Sequence, residues 1–307
     1  MNGMQRYLVE EELEHFRDGW ISRREFLKRA GLIGIGAAAA VEMARSVTPT
    51  PWVHAAPVAQ SSPLSVPEDD LSVATDWIWY RSVDGTLIKA YVAWPASARM
   101  DQSRPGVVVC HENRGLLTHH KDVPRRFAKQ GYVAVAPDLI SRTGTPTDAM
   151  TDDEGRAAFA SLNTDQSAAD MLAGLDVLKA HPAVDDARLA ATGYCAGSSV
   201  IWRLVVRSPD LKVAAPFYGG NPPLDEVPNI RAAVFAVYGA LDERINAGIP
   251  AIEAAMTTAR VKFRIRVYPN SAHAFHNDTG ANYNPETAPQ AWRDTLQWFA
   301  ENLGLTG

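Results

Sequence analysis

Cysteine is scarce in this chain: Cys110 and Cys195 are the two among 307 residues, so at most one intramolecular disulfide can form. No basic block is present and the net charge is −5, which argues against nucleic acid or an anionic membrane surface as a partner. No internal repeat is visible. His111, His119, His120 and His276 lack HExxH-like or other ligand spacing, so no metal site is expected, and no cofactor is expected either. Long apolar runs are missing as well. The uncharged stretch 30–41 is about a dozen residues, short of the roughly twenty a spanning helix needs, and no stable membrane span is expected after processing.

That stretch belongs to an amino-terminal region of its own kind. Ser22-Arg23-Arg24-Glu25-Phe26-Leu27-Lys28 precedes the Gly/Ala-rich run, and the pair of arginines ahead of a mildly apolar segment reads as a twin-arginine export signal. A small-residue cleavage pattern, Val53-His54-Ala55, stands before a Pro/Ser-rich linker. The division expected is a signal region over 1–55, a linker over 56–75 and a folded domain over 76–307. The export machinery is then a partner, and the mature protein is periplasmic or secreted. The acidic run Glu10-Glu11-Glu12 has no place in this reading.

The rest of the chain is arranged around Gly193-Tyr194-Cys195-Ala196-Gly197. A short apolar strand stops at a glycine, a thiol stands at the apex, and a small residue and a second glycine let the chain turn into a helix. This is the nucleophile elbow G-x-S-x-G with Cys for Ser. The thiol would then sit at a helix N-terminus, where peptide dipoles favour thiolate. A small buried hydrophobe between two packing glycines would leave the same letters, so its partners must decide. The run 232–238 ends in Gly239-Ala240-Leu241-Asp242, and the run 263–268 leads to His273. Cys, Asp and His each follow a separate strand, in the order an α/β-hydrolase requires, and in a parallel sheet the three loops meet at one edge.

With His111-Glu112-Asn113-Arg114-Gly115 after the strand 106–110 and Ala136-Pro137-Asp138-Leu139 after 132–135, these motifs resemble the dienelactone hydrolase family from about Trp77 to the end. The resemblance implies that Glu112 contacts the thiol and serves as its base when substrate arrives. It also places Arg142 on the substrate carboxylate. The family's second carboxylate-binding arginine falls where Asn277 stands here, which points away from dienelactone as a dedicated substrate and towards a broader hydrolase. The oxyanion hole should be the backbone N–H groups of Asn113 and Ala196. Tyr194, Trp202 and Phe275 could line the cleft or belong to the core, as aromatics beside an elbow more often do.

The fold expected is a doubly wound, mostly parallel sheet with helices on both faces, the α/β-hydrolase fold. It opens with a hairpin over 76–83 and 86–94 about Asp84-Gly85, and helices are expected over 120–130, 168–180, 198–207, 250–260 and 286–302. The function expected is cleavage of esters or lactones through Cys195, His273 and Asp242, with Glu112 modulating the thiol. The alternatives are a non-catalytic binding protein on the same shell, or an acyltransferase or thiol peptidase using the same triad.

Overall fold

The structure, a computed structural model, describes residues 1–49, 62–99 and 103–305. The proposed cleavage pattern around Ala55 lies outside them. The chain opens with three helices: α1 (Gly3–Arg17), α2 (Arg23–Leu32) and α3 (Ala37–Arg45). Asn2 caps α1 in a reciprocal box with Gln5, and Ser22 caps α2, so each start is fixed by a side chain that satisfies an otherwise orphaned amide.

The hydrolase body follows as β1 (Val73–Arg81), β2 (Leu87–Pro95), β3 (Arg104–Cys110), α4 (Thr118–Lys129), β4 (Val133–Asp138), α5 (Asp152–Ser161), α6 (Thr164–Ala180) and β5 (Val184–Tyr194). It continues as α7 (Ala196–Val205), β6 (Val213–Phe217), β7 (Ala233–Gly239), α8 (Glu243–Asn246), α9 (Ile249–Thr258), β8 (Phe263–Tyr268) and α10 (Thr287–Leu303). The strands form one sheet in the order β1-β2-β4-β3-β5-β6-β7-β8. The β1–β2 and β2–β4 pairs are antiparallel and the others parallel.

The central strands are continuous apolar runs because both faces are covered. Val107, Val108 and Val109 of β3 and Ala190 and Ala191 of β5 are fully buried. Phe127 of α4 meets Trp292 and Phe299 of α10 in one helical layer, while α6 packs with α7 in the other.

The five helices read from the sequence are present to within a few residues at each end, and the hairpin turns at Asp84-Gly85. The expectation made no provision for α1–α3 or α5. The stretch from 62 to 72 is also bound to the body: the Val66 N–H donates to Asp122 and its carbonyl accepts from Arg125 Nε.

Candidate active site

The parallel strands deliver their carboxyl ends, and the loops that follow them, to one edge of the sheet. Cys195 stands between β5 and α7 with φ 55° and ψ −127°, a sparsely populated conformation held by its surroundings. Its N–H donates to the Phe217 carbonyl at 3.1 Å and its carbonyl accepts from Ser198 N–H at 2.9 Å. Gly197 is required for packing, because a Cβ there would collide with the His111 carbonyl oxygen. The β3 end and the elbow can therefore lie side by side, which brings Asn113 next to the thiol.

Asp242 caps α8, accepting from Ile245 N–H at 3.3 Å, and its other oxygen is 2.6 Å from His273 Nδ1. The two loops are tied together by Leu241 N–H on the Ser271 carbonyl. Gly239 allows that approach, since a Cβ would come within 2.5 Å of the Ser271 oxygen. With Nδ1 engaged by Asp242, Nε2 of His273 is left without a hydrogen bond. Sγ of Cys195, a ring nitrogen of His273 and an oxygen of Glu11 lie within 4.8 Å of one another. Donors of these kinds can meet on a soft cation. Here the carboxylate is engaged by Asn113, and the imidazole by Asp242 through Nδ1 alone.

Glu11 is the unexpected member. It projects from α1, and both of its oxygens accept from Asn113 Nδ2, at 3.1 and 3.0 Å. The same oxygens are 3.7 and 3.6 Å from Cys195 Sγ, and the Tyr7 hydroxyl donates to the sulfur at 3.8 Å. Glu112 is turned elsewhere, accepting from Tyr218 Oη at 3.3 Å and Asn277 Nδ2 at 2.8 Å. The carboxylate hydrogen-bonded to the thiol thus comes from the amino-terminal helix.

Electrostatics follow from this arrangement. Burial, then the Glu11 charge, push the Cys195 thiol up to about 11, against the opposite pull of His273. For His273, burial works against the charged form, but Asp242 and the sulfur outweigh it and hold the imidazole well above its ordinary value. Burial would raise Asp242, yet His273 holds it below the usual carboxylate range. Asp242 therefore favours an imidazolium, and Glu11 disfavours a thiolate beside it.

A cleft of about 230 Å³ leads to these groups. Glu112, Asn113, His273 and Asn277 line it from the body, and Glu11, His15, Trp20, Ile21 and Arg29 from α1, α2 and the turn between them. Residues 88–303 match the dienelactone hydrolase family. The chain belongs to that family. Among its relatives, "Putative carboxymethylenebutenolidase" of Salmonella typhimurium is 32% identical over 244 residues, 73% of this chain and 86% of the relative. The protein of the same name from Saccharolobus solfataricus is 30% identical over 250 residues, 70% and 94% of the two chains. The crystal structure of a dienelactone hydrolase, also named as putative, from Klebsiella pneumoniae superposes with a TM-score of 0.67 at 30% identity, covering 75% of this chain and 99% of the other. The protein is thus a hydrolase of dienelactone hydrolase type on the α/β-hydrolase fold.

Three residues expected at the substrate are not in this dienelactone hydrolase cleft. Arg142 is held by Asp170, with Nε and Nη2 at 2.7 and 2.5 Å, and by Asp84 at 2.7 Å. Its guanidinium is spent on buried and surface carboxylates, so the assignment to a substrate carboxylate is corrected. Tyr194 is fully buried, stacked on His276 at 5.3 Å and close to Phe217. Phe275 is fully buried between Tyr218 and Tyr268. Both are core residues beneath the elbow, as is Trp202. Cys110 is a free, fully buried thiol pushed far up by burial, and Cys195 is also free.

The arginine pair read from the sequence as an export signal lies on α2, where Arg23 and Arg24 are exposed and Phe26 is buried. No helix among the described residues is long and apolar enough to cross a membrane. Sequence reasoning missed Glu11. The only available signal was the run Glu10-Glu11-Glu12, more acidic than an export leader requires.

Proposed function

We propose that this family member hydrolyses neutral esters or lactones by covalent catalysis at Cys195, with His273 as the proton carrier and Asp242 orienting it. The observation that supports this most is the 2.6 Å bond from Asp242 to His273 Nδ1, which leaves Nε2 open on the side of a thiol held at a strained elbow. From the neutral imidazole, the thiol proton passes to Nε2 to give the imidazolium that Asp242 favours, and the sulfur forms a bond to the substrate carbonyl carbon. The resulting oxyanion would face the N–H groups of Asn113 and Ala196. The latter is among the first amides of α7, which have no carbonyl partner within the helix. Collapse breaks the carbon–oxygen bond, with the leaving alkoxide taking the proton from His273. Water then attacks the thioester, giving a proton back to His273, and the carbon–sulfur bond breaks to restore the thiol.

Neutral substrates are favoured because neither place where the resemblance puts a carboxylate-binding arginine offers a free one: Asn277 stands at one, and Arg142 at the other is held by Asp170 and Asp84. Arg142 would have to give up a buried carboxylate before it could bind one from the substrate. A panel of neutral and carboxylated esters and lactones, dienelactones included, tests the proposal on the wild type and on Cys195→Ala. Turnover should favour the neutral compounds and vanish in the variant. Undiminished turnover by Cys195→Ala would overturn the reading.

A further inference from the structure

The family match begins at residue 88, yet a carboxylate within hydrogen-bonding reach of the Cys195 sulfur comes from residue 11. Both Glu11 oxygens stand 3.6 to 3.7 Å from Sγ while bonded to Asn113. A carbonyl about to be attacked must stand roughly 3–3.5 Å from its nucleophile. The carboxylate and an acyl group therefore compete for one place.

The helix carrying Glu11 is fastened around that point by charge. Glu12 is fully buried and shared between Arg156 of α5 and Arg29 of α2, with His15 beside it. Glu14 accepts from Arg244, 3.0 Å away on α8, and the guanidinium of Arg244 lies over the Tyr7 ring at 4.8 Å. Lys28 of α2 pairs with Asp153 of α5 at 2.6 Å. Apolar attachment is slight by contrast. Met4, Leu8 and Ile33 enter the main core, whereas Val9, Phe16, Phe26, Ala30, Ala40 and Ala44 form a separate cluster within the segment. A unit with its own small core and a mainly polar seat can leave without unfolding the sheet, as polar interdomain interfaces commonly allow.

We propose that α1 is a built-in stopper of the active site: the Glu11 carboxylate takes the acyl group's place against Cys195, and reagents and substrates reach the thiol only when α1 withdraws. Occlusion of the thiol stands on geometry alone, and its consequence for turnover rests on the hydrolase reading above. The rate of any reaction at Cys195 then scales with the fraction of molecules in which the helix is off.

The test uses the full chain as wild type, Glu12→Arg and Glu11→Ala. Glu12→Arg puts a third cation between Arg156 and Arg29 and should expel α1. Glu11→Ala removes only the side chain in front of the sulfur. Alkylation of Cys195 by iodoacetamide is followed by peptide mass, with buried Cys110 as the internal control, and hydrolysis of p-nitrophenyl acetate is followed alongside. Amide protection of β3 and β5 shows that the body is intact. We expect alkylation to rise at least about tenfold in Glu12→Arg and severalfold in Glu11→Ala, as an accessible fraction increased by those factors requires, with kcat/KM for the ester rising in parallel. Should Glu12→Arg fail to fold, Glu11→Ala decides. Alkylation at the wild-type rate in folded variants would overturn the stopper, as would a loss of turnover with alkylation unchanged. Faster alkylation with no ester cleavage in any variant would uphold the stopper and overturn the proposed hydrolysis.

Discussion

The hydrolase body and the amino-terminal helices are held by different forces. The body is a sheet whose central strands are apolar on both faces, so its stability comes from area removed from water. The segment 3–45 is fastened by Glu11, Glu12, Glu14 and Lys28 to Asn113, Arg156, Arg244 and Asp153, and it keeps much of its apolar surface for itself. Ion pairs hold geometry well but respond to pH, salt and single charge reversals, and exposed ones contribute little. An apolar core suits a permanent scaffold, and a charged seat suits an element that comes and goes.

The largest expected break in that comparison is a body residue that obeys the segment's logic. Arg142 pairs with Asp170, whose side chain is fully buried. Arg142→Ala would leave that charge unpaired inside the protein, at a cost of about 3 kcal/mol or more. The melting temperature should fall by on the order of 10 °C for a domain of this size, while KM for a carboxylated lactone stays within about twofold, since each tenfold is 1.36 kcal/mol of lost binding. An unchanged melting temperature with a much higher KM would return Arg142 to the substrate.

A smaller effect should separate the two regions in acid. Burial would raise Glu12, but His15, Arg156 and Arg29 outweigh it and hold the carboxyl at about 2, from an ordinary 4.5. A depressed carboxylate contributes stability that is fully present above its unfolded value and is lost as pH falls through the folded one. Asp278 on the body is also depressed by its buried contacts with His119 and Arg126, so the whole molecule weakens, but the sheet retains its apolar core. Between pH 4.5 and 2 the amide protection of α1 should fall before that of β3 and β5, and Glu12→Gln should flatten the difference. Simultaneous loss of protection in both regions would show the segment to be part of the body's cooperative unit.

How much was legible in the sequence follows the same division. The elbow at Cys195, the strand ends before Asp242 and His273, and the hairpin at Asp84-Gly85 are local patterns, each set by a few adjacent residues. That the sheet is mostly parallel follows once strands and helices alternate, whereas its order, with β4 between β2 and β3, does not. Glu112, Arg142 and Glu11 could not be placed that way, because a charged side chain goes to whichever partner the tertiary fold supplies. Tyr218 and Asn277 took Glu112, Asp170 and Asp84 took Arg142, and Asn113 took Glu11. Export motifs and packed helices are equally compatible with residues 22–45, since α2 exposes Arg23 and Arg24 while burying Phe26.

Trapping the acyl-enzyme tests the central claim most directly. The protein is quenched in acid during turnover of a slowly hydrolysed neutral ester, and its peptides are weighed. The account predicts that the peptide carrying Cys195 gains the mass of the acyl group, that the peptide carrying Cys110 does not, and that Cys195→Ala gains none and turns over no ester. Consumption of the ester with no adduct on Cys195, or with the acyl group on another residue, would contradict it.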